Sequence, residues 1–237
     1  MHERFLEMHG LTKIERDVNG LTILFIIEDG LKTTFYLYVL REGKKRLIRF
    51  SPDLLLADGE SMAQKFITLS MEELLVLFEK LANLTIKNYV VGSKKEIVGF
   101  LLREEQSITI NNSQAFVYEA EEITFKQGKM VADRRTLEAF ISYQVDEGNA
   151  QGIYERQEHV LRLLKNDLLR DKRITAMPKR FNQLKKLIRT NIGVSDLLKF
   201  FKAYKERGQE KTQRLTVSAG EAAQDSWVKE INQFLSE

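Results

Sequence analysis

The chain reads as α/β: a three-layer α/β/α domain around a central mixed β-sheet. Three observations predict it. Leu21-Thr-Ile-Leu-Phe-Ile-Ile27 is an unbroken apolar, β-branched run of strand length, the pattern of a central strand covered on both faces. A hairpin follows directly, with Glu42-Gly43 turning a strand at 33–40 back into one at 46–50. Amphipathic helical patterns then alternate with further short strands, which supplies cover for both faces of the sheet.

Residues 1–19 are mixed in character and read as an N-terminal extension, closed by the turn signal Asn19-Gly20. The first strand ends in Glu28-Asp29-Gly30, which puts two carboxylates at the C-terminal edge of a sheet. In open α/β sheets ligands bind at that edge. Ser51-Pro52-Asp53 stops the third strand, because proline cannot donate to a ladder. Asp58-Gly59 marks a loop. Ser70-Met-Glu-Glu73 is a capping box for a helix to about residue 82, burying Leu74, Leu75, Leu77, Phe78 and Leu81.

A short strand is predicted at 86–91, and a helix at 94–103 that buries Ile97, Val98, Leu101 and Leu102. Strands follow at 107–110 and 115–125, with Gly128 in a turn. Then come a helix at 134–143, a polar loop with Gly148 and Gly152, and a long helix. Its apolar stripe is Val160, Leu161, Leu164, Leu168 and Leu169. Pro178 suits the first position of a helix over 178–188. Ser195 caps a helix to about 204, 213–217 adds an edge strand, and 222–235 closes the chain with Trp227, Ile231, Phe234 and Leu235. The expected organisation is an extension at 1–19, the main domain at 20–206, and a strand and helix at 207–237 packed on it.

Composition removes several function classes. The chain has 237 residues, enough for a substantial core, and no cysteine. A disulfide framework, a thiol nucleophile and a Cys-ligated metal are therefore excluded. His2, His9 and His159 are scattered without metal-ligand spacing. No apolar window is long enough to span a bilayer and no signal-peptide core is visible. The expectation is a soluble domain, or one whose anchor has been removed. Net charge is only +3, but 155–214 holds 17 Lys/Arg against 7 Asp/Glu. That segment either attracts phosphates or nucleic acid, or forms solvated outer helix faces. Arg156 sits just inside the long helix, where an N-terminus with free N–H groups suits an anion. It also fits an ordinary surface arginine. No Gly-rich phosphate loop, nucleophile elbow or His-centred triad is present.

The order of elements resembles the LytR-CpsA-Psr family of cell-envelope glycopolymer transferases. Ile23-Leu-Phe-Ile-Ile-Glu-Asp29 is similar to that family's apolar strand ending in Gly-x-Asp. Arg49-Phe-Ser-Pro-Asp53 occupies the end at which the family has Ser-Ile-Pro-Arg-Asp. Lys87-Asn-Tyr-Val-Val91 and Glu96-Ile-Val-Gly-Phe-Leu-Leu102 look like the strand and helix that follow. Ile123-Thr-Phe-Lys-Gln-Gly-Lys, then 136–144, resemble a strand, Gly turn and helix. Arg156-Gln157 fit the end of the family's Asp-x-x-Arg-x-x-Arg-Gln, and Thr190-Asn191-Ile192 with Ser195-Asp-Leu-Leu198 look like its closing segment. The resemblance spans about 20–205.

The resemblance implies a carboxylate-bound Mg²⁺ and several arginines around a pyrophosphate-linked lipid. Asp29 and Asp53 stand at the carboxylate positions and are the candidate catalytic and metal residues. Leu31, Thr33, Pro52, Ser142, Gln144, Ala150 and Ile153 stand where the family has Arg or Asp. Lys32, Arg46, Arg49 and Arg156 remain as candidate phosphate ligands. Pyrophosphate transfer needs cations against the charge developing on the phosphates, and a Lys does not reproduce Arg's bidentate grip. The resemblance therefore implies an extracytoplasmic envelope domain that binds a lipid-linked glycan precursor or an envelope protein without the transfer chemistry. The alternatives are a divergent Mg²⁺-dependent transferase, or nucleic-acid binding through 155–214. The last is disfavoured, because no nucleic-acid module is recognisable and aromatics are not interleaved with the basic residues. An oligonucleotide is accordingly expected to bind only weakly and with a steep salt dependence. Sub-micromolar binding at physiological salt in a filter assay would reverse that expectation.

Overall fold

The computed structural model describes residues 21–41, 43–143, 152–168, 176–207, 211–218 and 224–237. The expected extension at 1–19, the polar loop with Gly148, Gln144 and Ala150, and Leu169 lie outside the described residues. In chain order the elements begin with β1 (Leu21–Glu28), β2 (Thr34–Arg41), β3 (Lys44–Phe50), α1 (Met62–Thr68), α2 (Met71–Ala82) and β4 (Asn88–Ser93). Next are α3 (Lys94–Leu101), β5 (Ser107–Asn112), β6 (Phe116–Tyr118), β7 (Ile123–Phe125), β8 (Gly128–Asp133) and α4 (Arg134–Ser142). The last are α5 (Gly152–Leu168), α6 (Ala176–Lys185), β9 (Arg189–Thr190), α7 (Val194–Arg207), β10 (Gln213–Val217) and α8 (Gln224–Ser236). The fold class is α/β around a mixed sheet with strand order β10-β3-β2-β1-β4-β9. The chain divides into two compact units, 1–90 with 191–237, and 91–190.

In the first unit β1, β2 and β3 form the expected antiparallel run. Leu24 lies opposite Leu37, and Leu37 opposite Ile48. All three are fully buried, and so are the residues one row along, Phe35 and Phe50. Strand β10 joins β3 in parallel, with Val217 beside Phe50, and makes the sheet mixed. The 213–217 segment is thus the edge strand that its pattern predicts.

Helix α2 covers the Phe35–Phe50 face. Its Phe78 ring stands 5.6 Å from Phe35 and 5.1 Å from Phe50, and Phe66 of α1 meets Phe35 at 6.0 Å. Aromatic rings bury large areas, and edge-on contacts add a little beyond area alone. The helix starts where the capping box places it. The Ser70 hydroxyl accepts from Glu73 N, and the Glu73 carboxylate accepts from Ser70 N at 2.9 Å. Those bonds hold the Glu73 carboxyl below the usual range. It ends at Asn83 in a left-handed conformation, φ 47°. Helix α8 packs on α2 and β10 and buries Trp227 and Ile231.

In the second unit β5 pairs with β8 and β6 with β7, both antiparallel. Helices α4 and α5 pack on one another and on α3. Ser93 caps α3 through a further reciprocal box with Glu96.

Four expectations are corrected. Helix α1 was not anticipated, although Ser61 and Gln64 form a reciprocal capping box at its start; only seven residues long, it carries too little periodicity to stand out. Gly128 opens β8 rather than sitting in a bare turn, its φ of +98° supplying the bend into the strand. Pro178 is the third residue of α6 rather than the first, which the helix tolerates because its first-turn N–H groups lack intrahelical partners anyway. Ser195 lies inside α7, and Asp196 instead accepts from Gly193 N at 3.3 Å.

The buried position of β1 predicts the cost of trimming it. Leu24→Ala or Ile26→Ala, at side chains with at most 1 % exposure, is expected to lower stability by about 2–5 kcal/mol. A urea midpoint that does not move would place β1 outside the core.

Candidate functional site

Asp29 follows β1 at the sheet edge that the sequence singles out. The chain turns there through a 3-10 turn, Gly30–Lys32. Gly30 has φ +56°, a conformation that side chains bearing a Cβ rarely adopt. Thr33 locks this turn. Its buried hydroxyl accepts from Asp29 N at 3.0 Å and donates to Gly30 O at 2.6 Å. A second bond runs from Lys32 N to Asp29 O at 3.0 Å. Asp29 is half-buried, and Lys32 and Leu31 are exposed. The turn therefore presents a fixed carboxylate with one cation and one bare aliphatic side chain beside it.

Asp53 follows β3 at the same edge and is exposed, its carboxylate accepting from the Ser51 hydroxyl. Strand β2 stands between β1 and β3, so Asp29 and Asp53 are about two strand spacings, near 9–10 Å, apart. Carboxylates at that separation share a hard cation only through waters or substrate oxygens. Among the described residues, no three acidic, His or Cys side chains gather as a metal site. The residues present thus fit Mg²⁺ that arrives with substrate phosphates better than a resident ion.

Behind this edge one sheet face carries buried polar groups. Arg49 on β3 lies between Tyr36 on β2 and Thr216 on β10. Its guanidinium donates to the Thr216 hydroxyl at 3.5 Å, and Arg49, Tyr36 and Thr34 are all at least 97 % buried. Strand alternation puts Thr34, Tyr36 and Arg49 on the same face. Sequence reasoning identified Arg49 but not Thr34 or Thr216. Arg46 is three residues earlier, on the opposite face, and belongs to the other end of the sheet.

Arg156 lies in the second unit, and it is not the exposed helix-terminal cation that its position suggested. It is 3 % exposed, and its guanidinium donates to the Tyr143 carbonyl. The charge sits 4.7 Å from the Phe116 ring and 5.1 Å from the Tyr143 ring. Those rings stack on each other at 4.3 Å, and Phe125 stacks on Phe116 at 4.4 Å. Arg156 therefore closes an aromatic cluster and ties the start of α5 to the end of α4. The signal for this was available in sequence only as separate aromatics.

Two further features of the second unit were not anticipated. Lys94 Nζ reaches the Ser142 hydroxyl at 3.0 Å, so a cation stands next to a position where the resemblance implies an arginine. A groove of about 560 Å³ is lined by Glu105, Glu121, Asp133, Arg134, Arg135 and Glu138 among others, and none of the candidate residues lines it.

A model of the LytR_cpsA_psr family matches residues 58–236. Among solved structures the chain is similar to Bacillus subtilis TagV, with a TM-score of 0.72 at 14 % identity, covering 93 % of this chain and 97 % of that one. It is similar to B. subtilis TagU at TM-score 0.65 and 15 % identity, covering 92 % and 98 %. A structure of TagT bound to LI-WTA aligns at TM-score 0.62 and 10 % identity, covering 95 % and 94 %. A comparison with curated proteins found no match.

His159 gives the second unit a measurable pH response. Its Nε2 accepts the Asn111 N–H at 3.1 Å, which only the neutral ring can do. Burial, and then the charge of Arg162, lower its pKa from the ordinary 6.5. The unfolded imidazole gains its proton first as pH falls, so this contribution is complete above about pH 6.5 and is lost below it. Urea midpoints at about pH 7.5 and about pH 5.5 are expected to differ more in the wild type than in His159→Gln. Equal differences would remove His159 as the cause.

Proposed function

The chain belongs to the LytR_cpsA_psr family, and on that premise we propose that it is a non-catalytic cell-envelope domain that binds a lipid-linked glycan precursor. What carries the proposal is the fate of the cations. Leu31, Pro52, Ser142 and Ile153 stand at or near positions where the resemblance implies arginine. Leu31 is 66 % exposed on the turn beside Asp29, so it offers a hydrocarbon surface where a phosphate clamp would need charge. Arg156 is engaged with the Tyr143 carbonyl and the aromatic rings.

Transfer from a polyprenyl-pyrophosphate donor loads negative charge onto the leaving phosphate. Each missing charge-assisted contact forfeits about 1.5–3 kcal/mol. Three such losses remove several powers of ten from the rate. Binding survives this better than turnover, because the lipid contributes apolar area that needs no arginine. Asp29, Lys32 and Arg49 are the residues we assign to the glycan-phosphate end. Mg²⁺, brought with the donor phosphates, would be held by Asp29 and, across β2, by Asp53; it would supply charge neutralisation there. TagT is similar in fold and its structure is of a complex with LI-WTA, which supports a glycopolymer ligand. An envelope protein is the other partner compatible with the family's extracytoplasmic setting.

One observation favours a second reading, a divergent transferase. Lys94 returns a cation to the Ser142 position. A lysine there restores a point charge, though not a bidentate fork.

The two readings separate in one experiment. The purified chain is incubated with a polyprenyl-pyrophosphate glycan and an acceptor, with and without Mg²⁺, and pyrophosphate cleavage is followed alongside donor binding. The expected outcome is retained binding with no cleavage above background. Turnover that disappears in Asp29→Ala or Lys94→Ala would establish the transferase, and absence of donor binding would remove the glycan reading.

A further inference from the structure

The groove of about 560 Å³ lies wholly within the second unit, so it is independent of the Asp29 edge and of glycan binding there. Its size is that of a cleft for a small molecule. Its walls come from the end of α3 and the loop after it, the 3-10 turn Glu119–Glu121 and the start of α4. Leu102 supplies an apolar wall.

The charges around it divide into those spent on the fold and those that are not. Arg135 Nε donates to the Glu121 carboxylate at 2.8 Å and a second nitrogen donates to the Glu121 carbonyl at 2.9 Å, so this pair closes on itself. The Asp133 carboxylate accepts from Thr136 N at 2.8 Å and caps α4. Arg134 and Glu138 stand one turn apart on α4, and both line the groove. Residues at that spacing share a helix face and commonly pair. Here neither side chain makes a hydrogen bond or ion pair with any described residue. The Arg134 guanidinium lies instead against α3, where Gly99 leaves it room. A Cβ added at 99 would stand 3.3 Å from its Nη1.

A guanidinium and a carboxylate held apart across one groove are complementary to a dipole of the opposite sense. A carboxylate meets Arg134 through the guanidinium fork, and an ammonium meets Glu138. With Glu121 and Arg135 cancelling, and Glu105 left out of the count, Asp133 and Glu138 outweigh Arg134 by one charge. A ligand of net charge +1 therefore fits better than a neutral or acidic one. An aliphatic stem between its charged ends suits the Leu102 wall.

We propose that this groove binds a cationic amino acid, its carboxylate held by Arg134 and an ammonium by Glu138. Arg134 is exposed and Glu138 half-buried. Water screens both contacts, so the affinity is weak, on the order of millimolar.

The full-length chain is titrated with L-lysine, cadaverine and L-glutamate at matched ionic strength, and the heat of binding is read. Cadaverine keeps the aliphatic chain and two ammonium groups without the carboxylate, and glutamate reverses the net charge. Lysine is expected to bind about fivefold more tightly than either. Arg134→Gln is expected to weaken lysine by a similar factor without weakening cadaverine, and Glu138→Gln to weaken both. A urea midpoint checks that each variant is folded. Should either not fold, the ranking of the three ligands on the wild type is the test. Nα-acetyl-lysine, which keeps the carboxylate and the side-chain ammonium, separates two sources of the same chemistry. A response to lysine alone assigns a free amino acid, and one shared with Nα-acetyl-lysine assigns the last residue of a peptide; both support the site. Cadaverine or glutamate binding as tightly as lysine, lysine affinity unchanged in a folded Arg134→Gln or Glu138→Gln, or no saturable heat with lysine would each overturn it.

Discussion

Strand β1 is hydrogen-bonded along one flank to β2, neighbours β4 on the other, and is buried through most of its length. The placement of every candidate group in the first unit follows from the register that begins there. Ile27 pairs with Thr34, so the chain has six intervening residues in which to reverse. It does so by a 3-10 turn rather than an open loop. The hydroxyl of Thr33, itself fully buried, closes that turn from inside. Asp29 is therefore held by sheet pairing on one side and by the Thr33 latch on the other. Slipping the pairing by one residue would exchange the two faces. Leu24, Leu37 and Ile48 would lose the row that they share, and Arg49 would move to the Phe78 side.

The same register separates two cations that look equivalent on paper. Arg46 and Arg49 are three residues apart on one strand, so alternation sends them to opposite faces. Arg49 finds Tyr36 and Thr216 as lateral neighbours, and Arg46 finds Val39 and Gln213. One is embedded among polar groups near the carboxylate edge. The other lies beside Val39 and the exposed Gln213 at the far end of the strand. Arg156 donates to a backbone carbonyl and lies over the faces of Phe116 and Tyr143. The three buried arginines among the described residues thus sit in three different surroundings.

Much of the fold was legible because its signals were local. The β1 run, the antiparallel return of β2 into β3 and the Ser70 box each lie within a few consecutive residues, and each formed where its pattern pointed. The edge placement of 213–217 was also visible, since a short polar-apolar segment near the chain end has few other uses. What escaped were features that need distant partners. Arg156 had the sequence context of an open helix terminus, and only contacts with Phe116 and Tyr143, 40 and 13 positions away, reveal that it is enclosed. Lys94 and Ser142 stand 48 positions apart. The carboxylates at 29 and 53 follow β1 and β3; that β2 lies between them follows from sheet order, which alternation alone does not specify.

Trp227 is the chain's one tryptophan, and it is buried in α8. Everything aromatic in residues 91–190 is phenylalanine or tyrosine. Tryptophan emission is therefore a private channel for the first unit, blind to the stack of Phe116, Phe125 and Tyr143, while tyrosine absorbance reports on both units. A chain in which the two units melt together would show one curve in both channels. A chain in which they melt separately would show the indole signal departing from the phenolic one. The spectroscopy needed to dissect this molecule is thus already written into where a single indole ring was placed.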